Sequence, residues 1–295
     1  MTGTTAAMTL DQLLDQGMRQ CGLSRAESRM LLACAAGRAR EWLVGHGLEE
    51  ADETVSQRFL TLAHRRARGE PVAYLAGSRE FFSRRFAVTP AVLIPRPETE
   101  LLVEVALQLL EDVAAPRLLD LGTGSGVLAV TLALERPDSV VLATDVSIAA
   151  LAVAKANAAC LGAGRVDFRA GDWWQAIAGQ EGGFDLIVSN PPYVAADDPH
   201  LAQGDLRFEP LQALSAGPLG DEDIRRLVAE APDWLGAGGW LALEHGHEQG
   251  GRCRQLMQQR GLCAIFTHHD LEQRERVTVG RKAVQPAGVE RWRAS

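Results

Sequence analysis

Apolar residues recur along this chain at two different periods, and the change of period divides it. Over roughly the first 70 residues the spacing is helical. Leu10, Leu13, Leu14, Met18 and Cys21 share one face. Ser24 and Glu27 stand at capping-box distance ahead of Met30-Leu31-Leu32, a signature of a helix start. Thr54 to Arg68 predicts a further helix with Val55, Phe59, Leu62 and Ala63 inward. Together these predict a small all-α bundle. Glu80 to Val88 is aromatic at both ends and polar in the middle, which predicts a β-hairpin. Ile94-Pro95-Arg96-Pro97 can continue neither a helix nor a central strand. Pro97 suits the first position of the next helix, with Glu98 and Glu100 at its positive end.

From about Pro116 short apolar runs alternate with helical segments. Strands are expected at 117–121, 140–144, 166–168, 185–188 and 240–244, with two more at the end. Helices are expected at 126–135, 148–160 and 221–235, with another after the 240–244 strand. Such alternation predicts an α/β class, a Rossmann-like, mostly parallel twisted sheet with helices on both faces. The expected organisation is a helical bundle over 1–76, a hairpin linker over 77–96 and the α/β domain over 97–295. Trp42, Trp234, Trp240 and Trp292 read as packing or surface residues.

Composition changes little in this picture. The chain has 295 residues, 46% hydrophobic and 23% charged, ordinary for a globular protein with a sizeable core. Its net charge of −8 argues against broad, non-specific phosphate binding, which needs clustered Lys and Arg. Arg65-Arg66-Ala67-Arg68 and Arg84-Arg85 are basic runs, read as a solvated helix face and a hairpin edge. The five cysteines form no C-x-x-C pair, so free thiols in a reducing compartment are expected. With no basic-then-apolar leader and no long apolar run, the expected location is the cytoplasm, without a membrane. Nothing in the pattern predicts a dimer seam, so a monomer is expected.

Candidate chemistry lies where strands end. Asp120-Leu121-Gly122-Thr123-Gly124-Ser125-Gly126 follows one strand and opens a helix. Glycines there let the backbone turn sharply and approach a ligand. The G-x-G-x-G spacing is tighter than the dinucleotide fingerprint, whose pyrophosphate uses the helix N-terminus; it suits a ligand without a phosphate. The alternative is a turn with no ligand. Asp145 ends the next strand, where a carboxylate can accept from both ribose hydroxyls; alternatively Asp145-Val146-Ser147 merely caps the following helix. Asp172-Trp173 ends the third strand region. An adenine fits against the Trp173 ring with Asp172 near its amino group; otherwise Trp173 is a partly buried surface residue.

Ser189-Asn190-Pro191-Pro192-Tyr193 carries most. Proline stops the strand at Asn190, and two prolines fix the direction of the Pro191 carbonyl. The Asn190 side chain supplies a second carbonyl oxygen. Two fixed acceptors suit an NH2 group. An amide nitrogen is a poor nucleophile, its lone pair being delocalised, and holding both hydrogens aims it and favours its pyramidal transition state. The Tyr193 ring can pack against the planar group. Nothing in this chemistry needs a metal.

At these residues the chain resembles the bacterial release-factor glutamine methyltransferases, which methylate the Gln side-chain amide of the Gly-Gly-Gln motif in class 1 peptide chain release factors. Asn190 to Tyr193 alone does not decide this, since adenine amino-group methyltransferases share it. The combination does, with Leu93-Ile94-Pro95-Arg96-Pro97-Glu98-Thr99-Glu100, Arg207-Phe208-Glu209-Pro210 with Ala213-Leu214, Leu243-Glu244-His245-Gly246, and Glu275 to Arg281. The resemblance implies a class I methyltransferase that uses S-adenosyl-L-methionine and leaves S-adenosyl-L-homocysteine. It implies cofactor binding by Gly122 to Gly126 (including Thr123, Gly124 and Ser125), Asp145 and Trp173. It implies that Asn190 touches cofactor and glutamine, that Asn190, Pro191, Pro192 and Tyr193 bind the glutamine, and that the bundle helps dock the release factor. The linker and the Glu209-Pro210 loop are expected to wall the glutamine pocket.

The rival reading is an adenine amino-group methyltransferase on DNA or RNA, which needs a flipped base and a basic groove; the net charge disfavours it, and no stable nucleic-acid binding is expected. A non-catalytic binder is disfavoured by the intact Gly122 to Gly126, Asp145 and Asn190, and a nicotinamide-dependent oxidoreductase by the glycine spacing. His245, His247, His268 and His269 lack the spacing of a zinc site, and no metal is expected.

Overall fold

A computed structural model describes residues 8–179 and 181–284. Trp292 and the end of the 97–295 segment lie outside them. The chain opens with five helices, α1 (Leu10–Cys21), α2 (Arg25–Ala36), α3 (Trp42–His46), α4 (Glu53–Ala67) and α5 (Val72–Ala76). Capping boxes start two of them. Thr9 and Gln12 satisfy each other's backbone N–H at α1, and Ser24 and Glu27 do so at α2. Leu13, Leu31, Leu32, Phe59 and Ala63 close a small core of their own. Gly17 makes room for it: a Cβ there would stand 2.6 Å from the Phe59 ring. The short helices α3 and α5 carry too few turns to show a period, and the sequence pattern missed them.

The hairpin follows as β1 (Ser78–Phe81) and β2 (Arg84–Ala87), paired antiparallel about Phe82-Ser83. Both turn residues have positive φ, 48° and 58°, the tight-turn geometry that matches strand twist. The next helix, α6 (Thr99–Leu109), begins two residues later than Pro97 predicts. Pro97 and Glu98 instead form the turn that leads into it, which leaves Thr99 buried at the first helical position.

The remaining elements are β3 (Arg117–Leu121), α7 (Val127–Glu135), β4 (Val140–Asp145), α8 (Ile148–Leu161), β5 (Asp167–Ala170), β6 (Phe184–Ser189), α9 (Glu222–Trp234), β7 (Leu235–Glu244), α10 (Gly250–Gln259), β8 (Leu262–His269) and β9 (Glu275–Lys282). Strands β3 to β9 form one sheet in the order β5-β4-β3-β6-β7-β9-β8. Its first five strands are parallel, and β9 alone runs opposite. Alternate residues face opposite sides. Leu118 joins the core under α6, α7 and α8, while Leu119 and Leu121 join the one under α9 and α10. Sequence order reverses at β3, with β4 on one side and β6 on the other. In open α/β sheets a crevice opens outside the carboxyl ends of strands at such a point.

Arg68 and Arg85 are exposed, while the other arginines of the basic runs are paired. Arg65 pairs with Glu70, Arg66 with both Glu27 and Asp205, and Arg84 with Glu135. Arg66 thereby joins α2 and α4 to the loop after β6, and Arg207 from that loop donates to the Arg68 carbonyl at 2.9 Å. Among the described residues no helix is long and apolar enough to cross a membrane.

Candidate active site

Three strand ends meet in the crevice. Gly122, Gly124 and Gly126 have φ of 76°, 55° and 85°, left-handed values that a side chain strains to adopt. The turn they make is pinned from below. The Gly122 and Thr123 amides both donate to the Thr144 carbonyl at 2.9 Å. Asp120 is 1% exposed and accepts from the Thr123 hydroxyl at 2.6 Å and the Ala129 amide at 3.2 Å. Burial pushes its carboxyl up to about 7. Asn157 of α8 donates to the carbonyls of Ser125 and Ala87, at 2.8 and 3.0 Å, tying the hairpin to the glycine turn.

Asp145 stands at the end of β4 with both oxygens engaged. Oδ2 accepts from the Gly124 amide at 2.9 Å and Oδ1 from the Ser147 amide at 2.8 Å. Burial raises its pKa and these donors lower it. A carboxylate has about four lone-pair sites, so it can hold the glycine turn and still accept hydroxyl donors. Within Asp145-Val146-Ser147 the N-cap of α8 is Ser147, whose side chain accepts from the Ala150 amide, so Asp145 itself is left to the crevice.

A cavity of about 270 Å³ fills the crevice, lined by Gly122 to Ser125, Asp145, Asp172, Trp173, Asn190 and Pro192. Gly126 serves packing instead, with Ala154 3.1 Å from where its Cβ would be. Leu93, Pro95, Arg96, Pro210 and Ala213 form the opposite wall. That wall is held by Glu209, whose Oε2 accepts the Ile94 amide at 2.9 Å while Oε1 takes Arg96 at 2.5 Å.

Helix α9 contributes what the sequence pattern did not show. Asp223 accepts from the Trp173 indole at 3.0 Å, and Arg226 donates to Asp172 at 2.6 Å. Both α9 residues line the cavity. Trp173, at φ 45°, lays its ring edge 3.1–3.2 Å from where a Gly122 Cβ would be. The Asp172 carboxylate is thus held by a guanidinium through Oδ2.

Strand β6 stops at Ser189, whose hydroxyl donates to the Leu121 carbonyl at 2.6 Å, and Asn190 follows beside the glycine turn. Its Nδ2 donates to the Thr99 hydroxyl at 3.1 Å. Pro191 is buried, and Pro192 faces the cavity. The Tyr193 ring packs against the core under α9, burial raises its pKa, and its carbonyl accepts from Gln249 at 3.2 Å. The histidines do not converge. β7 ends at Glu244, and His245 is buried between the Gly246 carbonyl and the Thr278 hydroxyl, each 2.8 Å away. Among the described residues no three His, Cys, Asp or Glu side chains gather as metal ligands.

A parallel sheet with a glycine turn after its first strand and an Asn-Pro-Pro-Tyr turn after its fourth defines a methyltransferase-type α/β domain. Known proteins agree. A family model described as the methyltransferase small domain matches residues 98–205, and one described as the PrmC N-terminal domain matches residues 12–77. A methyltransferase from Pyrococcus furiosus, 19% identical, superposes with a TM-score of 0.51 over 75% of this chain and 100% of that one, which shows the fold. The release factor glutamine methyltransferase of Xylella fastidiosa (strain 9a5c) is 51% identical over 259 residues, covering 88% of this chain and 94% of that one. The enzyme of the same name from Bordetella pertussis is 50% identical over 268 residues, covering 91% and 98%. The chain belongs to the release factor glutamine methyltransferase family.

Proposed function

We propose that this protein methylates the side-chain amide nitrogen of the glutamine in the Gly-Gly-Gln motif of class 1 peptide chain release factors, with S-adenosyl-L-methionine as methyl donor and S-adenosyl-L-homocysteine as product. The observation that carries it is Asn190 at the β6 end, facing the cavity beside the glycine turn, with its amide N–H taken by Thr99 and its oxygen left for a substrate.

The donor's end of the cavity fits an adenosyl group. Gly122 and Gly124 bring no Cβ against it, Asp145 offers a carboxylate to the ribose, and the Trp173 ring borders it. When bound, the donor presents a methyl carbon on a sulfonium, whose sulfur keeps the electron pair of the broken bond as the new N–C bond forms. The chain's own residues act on the other reactant. Asn190 Oδ1 and the Pro191 carbonyl each accept one hydrogen of the glutamine NH2. That fixes the nitrogen's direction of attack, a positioning gain. The same contacts strengthen as positive charge develops on the nitrogen, before one proton leaves to solvent. The α/β domain over 97–295 carries this chemistry, and the bundle over 1–76, joined by the hairpin linker over 77–96 and clasped through Arg66 and Arg207, docks the release factor.

The test is to incubate the protein with isotopically labelled donor and either an unmethylated class 1 release factor or the same factor with its Gly-Gly-Gln glutamine replaced. Label on the first alone is expected. Label on both, or on added nucleic acid instead, would move the substrate elsewhere, adenine amino groups being the next choice.

A further inference from the structure

Behind Asn190 lies an acidic side chain that the reaction as described does not use. Glu244 ends β7, the strand paired with β6 so that Leu243 stands opposite Ser189. It is 1% exposed, and its Oε2 has no hydrogen-bond partner among the described residues. The Thr99 hydroxyl and the Asn190 amide both face its carboxyl and favour its charged form.

An asparagine amide has nearly the same shape in its two flip states, yet flipping exchanges an acceptor for a donor. Only the state with Oδ1 toward the cavity can hold a substrate NH2. The Thr99 hydroxyl cannot choose between the states by itself, because it can rotate to donate to Oδ1 or accept from Nδ2. A hydroxyl whose proton is already taken can only accept. We infer that Glu244 is a positioning residue: its carboxylate takes the Thr99 hydroxyl hydrogen bond, so that Thr99 can only accept from Asn190 Nδ2, and Oδ1 is held toward the substrate. This rests on the proposed role of Asn190.

The lock depends on ionisation. Burial pushes Glu244 up to about 7, with Arg276 from β9 favouring its charge and Glu98 before α6 opposing it. Burial disfavours charge on the other groups beside it, raising the Tyr193 phenol and lowering the adjacent His245. Above about pH 7 the carboxylate only accepts. Below it the acid can donate to Thr99, which frees that hydroxyl to donate to Asn190 and lets the amide flip.

The experiment is the pH dependence of kcat for methyl transfer to a release factor, by wild type and by Glu244→Gln. Wild-type kcat is expected to fall as pH drops through about 7. Glu244→Gln, which can donate at every pH, is expected to lose that limb and to turn over roughly tenfold more slowly, less than the full loss of a preorganised contact, with KM for the donor unchanged. Should that variant not fold, Thr99→Val carries the same test, with the same loss and no limb expected. Wild-type kcat together with the wild-type limb in either variant overturns the inference alone. No methyl transfer by the wild type overturns the reading of Asn190, and the inference with it.

Discussion

Asn190→Ala is expected to lower turnover at least ~100-fold, the scale for removing one preorganised polar contact, while cofactor affinity stays within a few-fold. The residue follows a strand that Ser189 ties to Leu121, and Pro191 and Pro192 hold the chain beyond it. The alanine variant therefore keeps its backbone course and loses only the amide. Thr99 loses the one donor that Asn190 gives its hydroxyl oxygen, so the fold loses about 1 kcal/mol, the net worth of one hydrogen bond. Initial rates at saturating release factor, with a calorimetric titration of the donor, separate the two effects. Near-normal turnover would remove Asn190 from the mechanism.

Glu209→Ala is expected to give the largest loss of stability, about 3 kcal/mol. Its side chain is wholly buried, paired to Arg96 and to the Ile94 amide. Removing one partner of such a pair strands the other and costs about 3–5 kcal/mol. The lower end applies because the Arg96 side chain is 30% exposed and can recover some hydration. The variant also frees the 93–96 segment from the loop that opposes it, so turnover should fall with stability. Chemical denaturation followed by intrinsic fluorescence reads the first effect. A loss below about 1 kcal/mol would show that the two walls of the cavity are held by something else.

The sheet was legible because strand and helix periods are local properties. Leu118, Leu119 and Leu121 show their alternation within five residues, and the Ser24–Glu27 box announces α2 within four. The glycine turn, Asp145 and Asn190 were legible for the same reason: each directly follows an apolar run, and strand ends in an α/β sheet are where ligands gather. What was not legible is what arrives from far along the chain. Arg226 reaches Asp172 and Asp223 reaches Trp173 from α9, more than 45 residues later, and no periodicity announces such a meeting. Thr99 and Glu244 sat inside segments quoted for their resemblance, but their convergence behind Asn190 depends on α6 crossing over β7. Pro97 misled by two residues because a proline fits the turn before a helix as well as its first position. The packing of the Tyr193 ring against the core under α9 is likewise a long-range meeting that no local pattern announces.

The most direct measurement is a crystal structure of the protein with S-adenosyl-L-homocysteine and a release-factor domain carrying the Gly-Gly-Gln motif. The expected result is the glutamine amide nitrogen at hydrogen-bond distance, about 2.9 Å, from both Asn190 Oδ1 and the Pro191 carbonyl, facing the sulfur beside Gly122 to Gly126. A glutamine lying elsewhere, or turned with its carbonyl oxygen toward Asn190, would contradict the claim that these two acceptors aim the nitrogen.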